Sequence, residues 1–211
     1  MNTIDWMSLD GDPNNPEARL AASYKLKEIR QIHTNTDLIG FVLSQVAGKR
    51  VLDIGFACHT MKYADHSKWR HALISKVAEY TLGIDILAPM TQELTSRGYN
   101  VRCVDATSEE DLGERFDLVF IGDVLMHVEN PSALLRFARR HCSPGGRILI
   151  STPNPFSRKF IRQFMREGVM VVCLDHVAWI TPTHVMELAR RTKLNLLAYH
   201  LIKPIPPLSD V

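Results

Sequence analysis

The sequence predicts an α/β fold with a doubly wound, mainly parallel sheet and helices on both of its faces. Apolar segments of strand length alternate with helical segments from residue 50 to residue 152, and this alternation is typical of parallel sheets. Three of the predicted strands end in an aspartate. Because ligands of open α/β sheets bind outside the carboxyl ends of the strands, the sequence also predicts a ligand site at that edge.

Bulk composition excludes several classes of protein. The chain has 211 residues, of which 45% are hydrophobic and 23% charged, and its formal net charge is +2. These values are ordinary for a globular protein and indicate no nucleic-acid partner. No apolar run approaches the roughly 20 residues that a membrane helix needs, and the polar N-terminal residues do not resemble a signal peptide. A cytoplasmic location is expected by elimination.

The N-terminal residues 1–48 are expected to form a loop and a helical cap over the ligand edge. Residues 1–16 are rich in Asp, Asn and Pro, and helices are predicted from Glu17 to about His33 and from near Thr36 to Val46. Residues 49–211 are expected to form the α/β domain, so that the chain is a single domain overall.

The α/β segment is expected to contain five strands before its pattern breaks. The predicted strands are 50–54, 81–85, 99–107, 116–124 and 147–152. The predicted helices between them are 67–79, 87–98 and 131–141. Residues 153–180 depart from the pattern, which predicts an inserted segment after the fifth strand. A helix over 182–191 and a last strand over 194–202 complete the expected fold.

A predicted helix in the insert, Arg158–Glu167, combines basic and apolar residues. The favoured interpretation is a solvated basic face with an apolar stripe docked on the domain. The alternative is a basic lid for an anionic acceptor, or a surface that meets a membrane-linked substrate.

Asp53, Asp85 and Asp105 close three successive predicted strands. Aspartate often begins a turn, but three in a row at one ligand edge favour a function. An acid after the second strand can accept hydrogen bonds from the hydroxyls of a ribose, and an acid after the third can accept from the amine of adenine. The pattern therefore indicates an adenosine lying along the edge of the sheet.

The loop after the first predicted strand indicates which adenosine cofactor is bound. Gly55 is followed by Phe56, Ala57, Cys58 and His59, so the glycines with which a GxGxxG loop approaches a pyrophosphate are missing. A cofactor with adenosine but no phosphate fits better, and S-adenosylmethionine is such a molecule.

Five segments carry a resemblance to a known family. VLDIG, GIDI, DAT, FDLVFIGDVLMHVENP and SPGGRILISTPNP occur in this order over residues 50–155. The ordered set resembles the class I S-adenosylmethionine-dependent methyltransferases, which have a Rossmann-like sheet, and is most similar to the small-molecule branch with ubiquinone-type and sugar O-methyltransferases. The resemblance implies O-methylation of a hydroxyl on a sugar, a glycan precursor or a similar metabolite.

The resemblance also implies roles for individual residues. Asp53 and Gly55 are expected at the methionine end of the cofactor, Asp85 at the ribose and Ile86 on the adenine. Asp105 and Ala106 are expected at the adenine amine, and Gly122 and Asp123 beside the sulfonium. Phe56 and Ala57 are also expected to bind the cofactor. The family loop usually reads GxGxG, whereas His59 is a large substitute here. Either the loop is rebuilt, with His59 directed away from the cofactor or toward the acceptor, or cofactor binding is impaired.

Two histidines are candidate catalytic residues. His127 follows Asp123 by four residues and is the better candidate for a general base, the alternative being a structural role in the loop before Pro131. His176 lies in the insert and could close over the site. No metal site is predicted, because each acid at the strand ends already has a cofactor role.

Other functions are less favoured but stay open. The altered glycine loop is compatible with a methyltransferase-like, non-catalytic subunit that binds a partner protein. Nucleic-acid methylation is disfavoured by the near-neutral charge and by IGDV at 121–124, where an NPPY-type motif would be expected. The expected partner is a small-molecule acceptor, with a sugar or an anionic compound as candidates, and a homodimer is left open.

Overall fold

The computed structural model describes residues 6–8, 11–57 and 60–202. The α-helices are α1 (Pro16–Ile29), α2 (Leu38–Val46), α3 (Arg70–Val77), α4 (Ala88–Ser96), α5 (Pro131–His141), α6 (Arg158–Glu167) and α7 (Pro182–Arg191). The strands are β1 (Arg30–His33), β2 (Arg50–Ile54), β3 (Tyr80–Asp85), β4 (Val101–Cys103), β5 (Phe116–Gly122), β6 (Cys142–Ser151) and β7 (Tyr199–Ile202). Packing divides the chain into two compact units, one of Val42–Ile180 and one of residues up to 41 with residues from 181 onward. None of the described helices is both long and apolar enough to cross a bilayer.

The first unit, residues 42–180, contains a five-stranded sheet in the order β4-β3-β2-β5-β6. Every neighbouring pair is parallel, and helices connect the strands, which confirms the predicted fold class. The order runs outward in both directions from the β2–β5 pair, so the topological switch point lies between these two strands. Val51, Leu52 and Ile54 of β2 are at most 2% exposed, as expected for a strand covered on both faces.

Some boundaries in this unit differ from those predicted. β4 covers only Val101–Cys103 rather than 99–107, and Asp105 begins a turn, since its carboxylate accepts from the amide of Thr107. β6 is longer than predicted, since it begins at Cys142 and pairs with β5 across a register shift. The predicted helix 67–79 is reduced to α3, and a short 3-10 turn, Met61–Tyr63, precedes it.

The second unit contains a small parallel sheet that the sequence pattern does not indicate. The prediction that a helix continues to His33 was wrong, because α1 ends at Ile29 and Arg30–His33 form β1. β1 pairs with β7, from Arg30 opposite Tyr199 to His33 opposite Ile202. Side chains support the pairing, since Nε2 of His33 lies 2.9 Å from Nδ1 of His200. The last strand, predicted over 194–202, is confined to β7.

The insert after β6 consists of α6 and the irregular residues 168–180. The hydroxyl of Ser157 caps α6 by accepting from the amide of Phe160, and Gly168 ends the helix in the left-handed conformation. The prediction of a docked apolar stripe was wrong for Ile161, Phe164 and Met165, which are 47%, 56% and 78% exposed. A contact of Phe160 with Trp179 at a ring separation of 5.1 Å does join the helix to the rest of the insert.

Candidate active site

The candidate site lies at the carboxyl ends of β2, β3 and β5, all within the first unit. These strands are neighbours in register, with Asp53 opposite both Gly83 of β3 and Phe120 of β5. Their last residues and the loops that follow them therefore meet at one edge, as the three strand-end acids predict. Cys58 and His59, part of the loop after β2, lie outside the described residues.

Asp53 is buried in the core rather than presented at this edge. Its side chain is 0% exposed and that of His71 only 1% exposed, and Nδ1 of His71 donates to Oδ2 of Asp53 at 2.8 Å. The imidazole packs against the rings of Phe56 and Trp69, at 5.0 and 5.3 Å, and the indole of Trp69 donates to the carbonyl of Phe56. This buried cluster holds the start of the loop after β2, and a ligand contact for Asp53 or Phe56 stays a prediction.

Asp85 joins the loops that follow β2 and β3. Its Oδ1 accepts from the amide of Leu87 at 3.0 Å and its Oδ2 from the amide of Ala57 at 3.1 Å. Burial raises the pKa of Asp85 above its usual value, although both amide hydrogen bonds act in the opposite direction. Next to it, Ile86 is 67% exposed, which leaves an apolar side chain open to a ligand.

Asp105 lies beyond the end of β4, in a turn. Its Oδ1 accepts from both the amide and the hydroxyl of Thr107, each at 2.7 Å. Asp105 is exposed, whereas Ala106 is buried. A ligand such as adenine could therefore reach the carboxylate of Asp105 but not the side chain of Ala106.

Gly55 and Gly122 both lie close to neighbouring side chains. Gly55 has φ +76°, and a Cβ there would lie 2.0 Å from Cγ2 of Val124. A Cβ on Gly122 would lie 2.1 Å from Nη2 of Arg70. At Gly55 the positive φ would also strain any other residue, whereas a side chain at Gly122 would displace the guanidinium of Arg70.

Arg70 is a site residue that sequence reasoning missed. Its guanidinium donates to the carbonyl of Gly122 at 2.9 Å and to Oδ2 of Asp123 at 3.0 Å, and it lies over the ring of Phe120 at 4.9 Å. Asp123 itself has φ +58°. Arg70 is the first residue of α3, and no motif in the sequence distinguishes it from the other arginines.

The two candidate catalytic histidines lie together, and Asp175 joins them. Nδ1 of His127 is 3.1 Å from Oδ2 of Asp175, and the rings of His127 and His176 meet edge to face at 4.7 Å. The amide of Val177 donates to the carbonyl of Met126 at 2.9 Å, which fixes the insert against the loop after β5. Burial, and secondly the neighbouring His127, lowers the pKa of His176.

The fold and this edge define an α/β protein that binds a ligand at a topological switch point. The sequence profile of a family described as "methyltransferase domain" matches residues 26–199, which is well over half of the chain. The chain therefore belongs to this methyltransferase family. The match confirms the class of protein that the five ordered segments predict.

Relatives and solved structures agree with this assignment. The chain is 25% identical over 155 residues to a ubiquinone biosynthesis O-methyltransferase of Aeromonas salmonicida, covering 70% of this chain and 63% of the relative. It is 32% identical over 112 residues to the protein of the same name from Pseudomonas fluorescens, covering 52% of this chain and 46% of the relative. Both matches thus span less than two thirds of the relative's length.

A solved structure of a SAM-dependent methyltransferase from Thermotoga maritima shares the fold. Its TM-score is 0.52 at 16% identity, and the alignment covers 73% of this chain and 68% of that one. Identity at this level establishes the common architecture alone.

Proposed function

We propose that the protein is an S-adenosylmethionine-dependent methyltransferase that acts on a hydroxyl group of a small molecule. The observation that carries the proposal is the arrangement at one sheet edge. At that edge Asp85 and Asp105 are suited to bind an adenosine. The imidazole of His127, which is paired with Asp175, lies at the same edge and is suited to proton transfer. Membership in the methyltransferase family supports the same conclusion.

The described residues fit the adenosine half of the cofactor. Each carboxylate oxygen of Asp85 accepts one amide, and because such an oxygen can accept a further hydrogen bond, Asp85 keeps capacity for the two ribose hydroxyls. The exposed side chain of Ile86 would cover one face of the adenine. Asp105, together with the backbone of Ala106, would receive the adenine amine.

The methionine half would meet Gly55, Ala57, Gly122 and Asp123. The guanidinium of Arg70 lies against Gly122 and Asp123, so it brings a positive charge to this part of the edge. A positive charge there suits the carboxylate of an amino acid. Asp53 and Phe56 would act behind this surface, because their side chains are in the core.

The cofactor supplies a methyl group on a sulfonium, and the residues of the chain supply position and proton transfer. Correct alignment of the acceptor with the methyl group can be worth roughly 7–11 kcal/mol. A hydroxyl must also lose its proton. Nδ1 of His127 lies 3.1 Å from Oδ2 of Asp175, and in carboxylate–histidine pairs of this kind Nε2 is the nitrogen that accepts the proton. His176 packs edge-on against this ring and limits its movement.

The acceptor is proposed to be an apolar hydroxylated compound, related to those of ubiquinone synthesis, rather than a sugar. The two relatives are named as ubiquinone biosynthesis O-methyltransferases. The insert also exposes many large apolar side chains, namely Phe156, Ile161, Phe164, Met165, Val169, Val171, Leu174 and Val177. Such a surface favours an apolar acceptor. The relatives leave the alternative of a non-catalytic subunit unsupported.

Two measurements test the proposal. Calorimetry with S-adenosylhomocysteine should show one binding site per chain, which Asp85→Ala weakens and Asp65→Asn, an exposed control, leaves unchanged. Labelled S-adenosylmethionine should then transfer methyl to hydroxylated aromatic compounds in preference to sugars. No binding at millimolar ligand would contradict the enzyme proposal, and transfer to sugars alone would contradict the proposed acceptor.

A further inference from the structure

Two histidines and one aspartate converge where the insert meets the loop after β5. His127, Asp175 and His176 each offer one nitrogen or carboxylate oxygen, and these three atoms all lie within 4.8 Å of one another. Nδ1 of His127 lies 3.1 Å from Oδ2 of Asp175. Among the residues that the structure describes (6–8, 11–57 and 60–202), this is the cluster of histidine, cysteine or acidic side chains whose ligand atoms lie close enough together to hold a metal ion.

The spacing suits three ligands of one metal ion. Nitrogen and oxygen ligands lie about 2.0–2.2 Å from zinc, so two of them in one coordination shell are roughly 3–4 Å apart. The 3.1 Å separation is already in this range. The third ligand atom, from His176, lies within 4.8 Å of the other two.

The surroundings of His176 give a second, independent observation. Its Nδ1 is buried and has no hydrogen-bond partner among the described residues. Buried polar atoms nearly always have a partner, and an exception requires an explanation. A metal ion would provide one.

We propose that His127, Asp175 and His176 form a binding site for a divalent transition-metal ion of the zinc type. Imidazole ligands favour zinc, iron, nickel or copper, whereas magnesium and calcium prefer oxygen ligands alone. Three protein ligands leave at least one coordination position open, as in catalytic zinc sites.

An ion at this position would change how the acceptor loses its proton. Nδ1 of His127 would bind the ion, so this form would not use the imidazole as a base. A hydroxyl at the open position would be acidified by coordination and would release its proton to solvent. This last step rests on the proposed methyl transfer, but binding of the ion does not.

Calorimetry with zinc alone, on full-length protein stripped with a chelator, tests the site. One Zn²⁺ per chain should bind, and an excess of Mg²⁺ should not displace it. Asp175→Asn and His176→Gln should each weaken zinc binding by at least ~10-fold, because each removes one ligand. Asp175 is 46% exposed, so its variant should fold, and thermal unfolding of both variants checks this.

Two control variants separate this cluster from other histidines. His66→Gln removes an exposed histidine, and His200→Gln removes the close pair with His33. Both should bind zinc as the unmodified protein does. Absence of binding, displacement by Mg²⁺, or equal weakening in the controls would overturn the proposal. Because none of these measurements uses S-adenosylmethionine, they leave the proposed function to be judged separately.

Discussion

The carboxylate of Asp53 and the imidazole of His71 form a hydrogen bond of 2.8 Å in the core of the first unit, where neither side chain is more than 1% exposed. Asp53 belongs to the central strand β2 and His71 to helix α3. The bond therefore ties the helix to the sheet directly behind the candidate site.

Breaking this pair should cost much of the protein's stability. His71→Ala leaves a buried carboxylate without its partner, and we expect the free energy of unfolding to fall by about 3–5 kcal/mol. Urea denaturation measures the loss. The matched control is Asp65→Asn, which breaks an exposed pair with Arg97 and should cost less than about 1 kcal/mol. Similar losses in the two variants would mean that the buried pair contributes little.

Gly55→Ala should destabilise the protein more than the same change at Gly48. Both glycines have positive φ, +76° and +66°, but a Cβ at Gly48 meets nothing within 4 Å. Gly48→Ala should therefore show the left-handed backbone penalty alone, about 1–2 kcal/mol. Gly55→Ala adds a clash with Val124, so its loss should be larger. The double variant Gly55→Ala/Val124→Ala should recover part of that excess, and failure to do so would place the cost elsewhere.

Asp85→Ala should weaken binding of S-adenosylhomocysteine by more than about tenfold, because hydrogen bonds to a charged group are worth about 1.5–3 kcal/mol each. Burial raises the pKa of Asp85, and the ionised carboxylate is the better acceptor. Affinity should thus be constant near neutral pH and decline as the pH falls through this raised pKa. The decline should begin at a higher pH than the titration of an exposed aspartate. Calorimetry at several pH values checks this, and a pH-independent affinity would place the ribose elsewhere.

His127→Gln should slow methyl transfer by ~10²–10⁴-fold with little change in cofactor affinity, provided that the acceptor is a hydroxyl. Asp175→Asn should slow it by a smaller factor, since this carboxylate orients the imidazole without touching the acceptor. Single-turnover kinetics with labelled cofactor measure both. His66→Gln serves as the control and should react at the unmodified rate. An unchanged rate in His127→Gln would show that the residue is structural or that the acceptor is an amine, which needs no base.

The sheet and its ligand edge could be predicted because local patterns encode them. Apolar segments such as Val51–Ile54 specify buried strands, and an aspartate at the end of each needs no distant partner to be recognised. The bounds of α5 and α6 agree with the predicted helices 131–141 and Arg158–Glu167, because helix ends depend on residues that are close in sequence.

The remainder depends on partners that are distant in sequence. Nothing near Arg30 indicates that β1 pairs with β7, so the local helical pattern was extended too far. The pairing of Asp53 with His71 has the same origin, because an acid at a strand end is expected to face a ligand unless its buried partner is known. His127 and Asp175 are contributed by separate segments, and their contact follows only from the position of the insert.

The hydrogen bond from the amide of Val177 to the carbonyl of Met126 uses main-chain atoms alone. Every residue except proline can donate it, so this part of the attachment places almost no restriction on the side chain at position 177. Evolution can therefore exchange the exposed residues around Leu174 while the segment stays anchored beside His127. For protein engineering, this main-chain attachment means that the exposed surface of the insert can be redesigned for new acceptors. At position 177 only proline must be avoided, because it cannot donate the hydrogen bond.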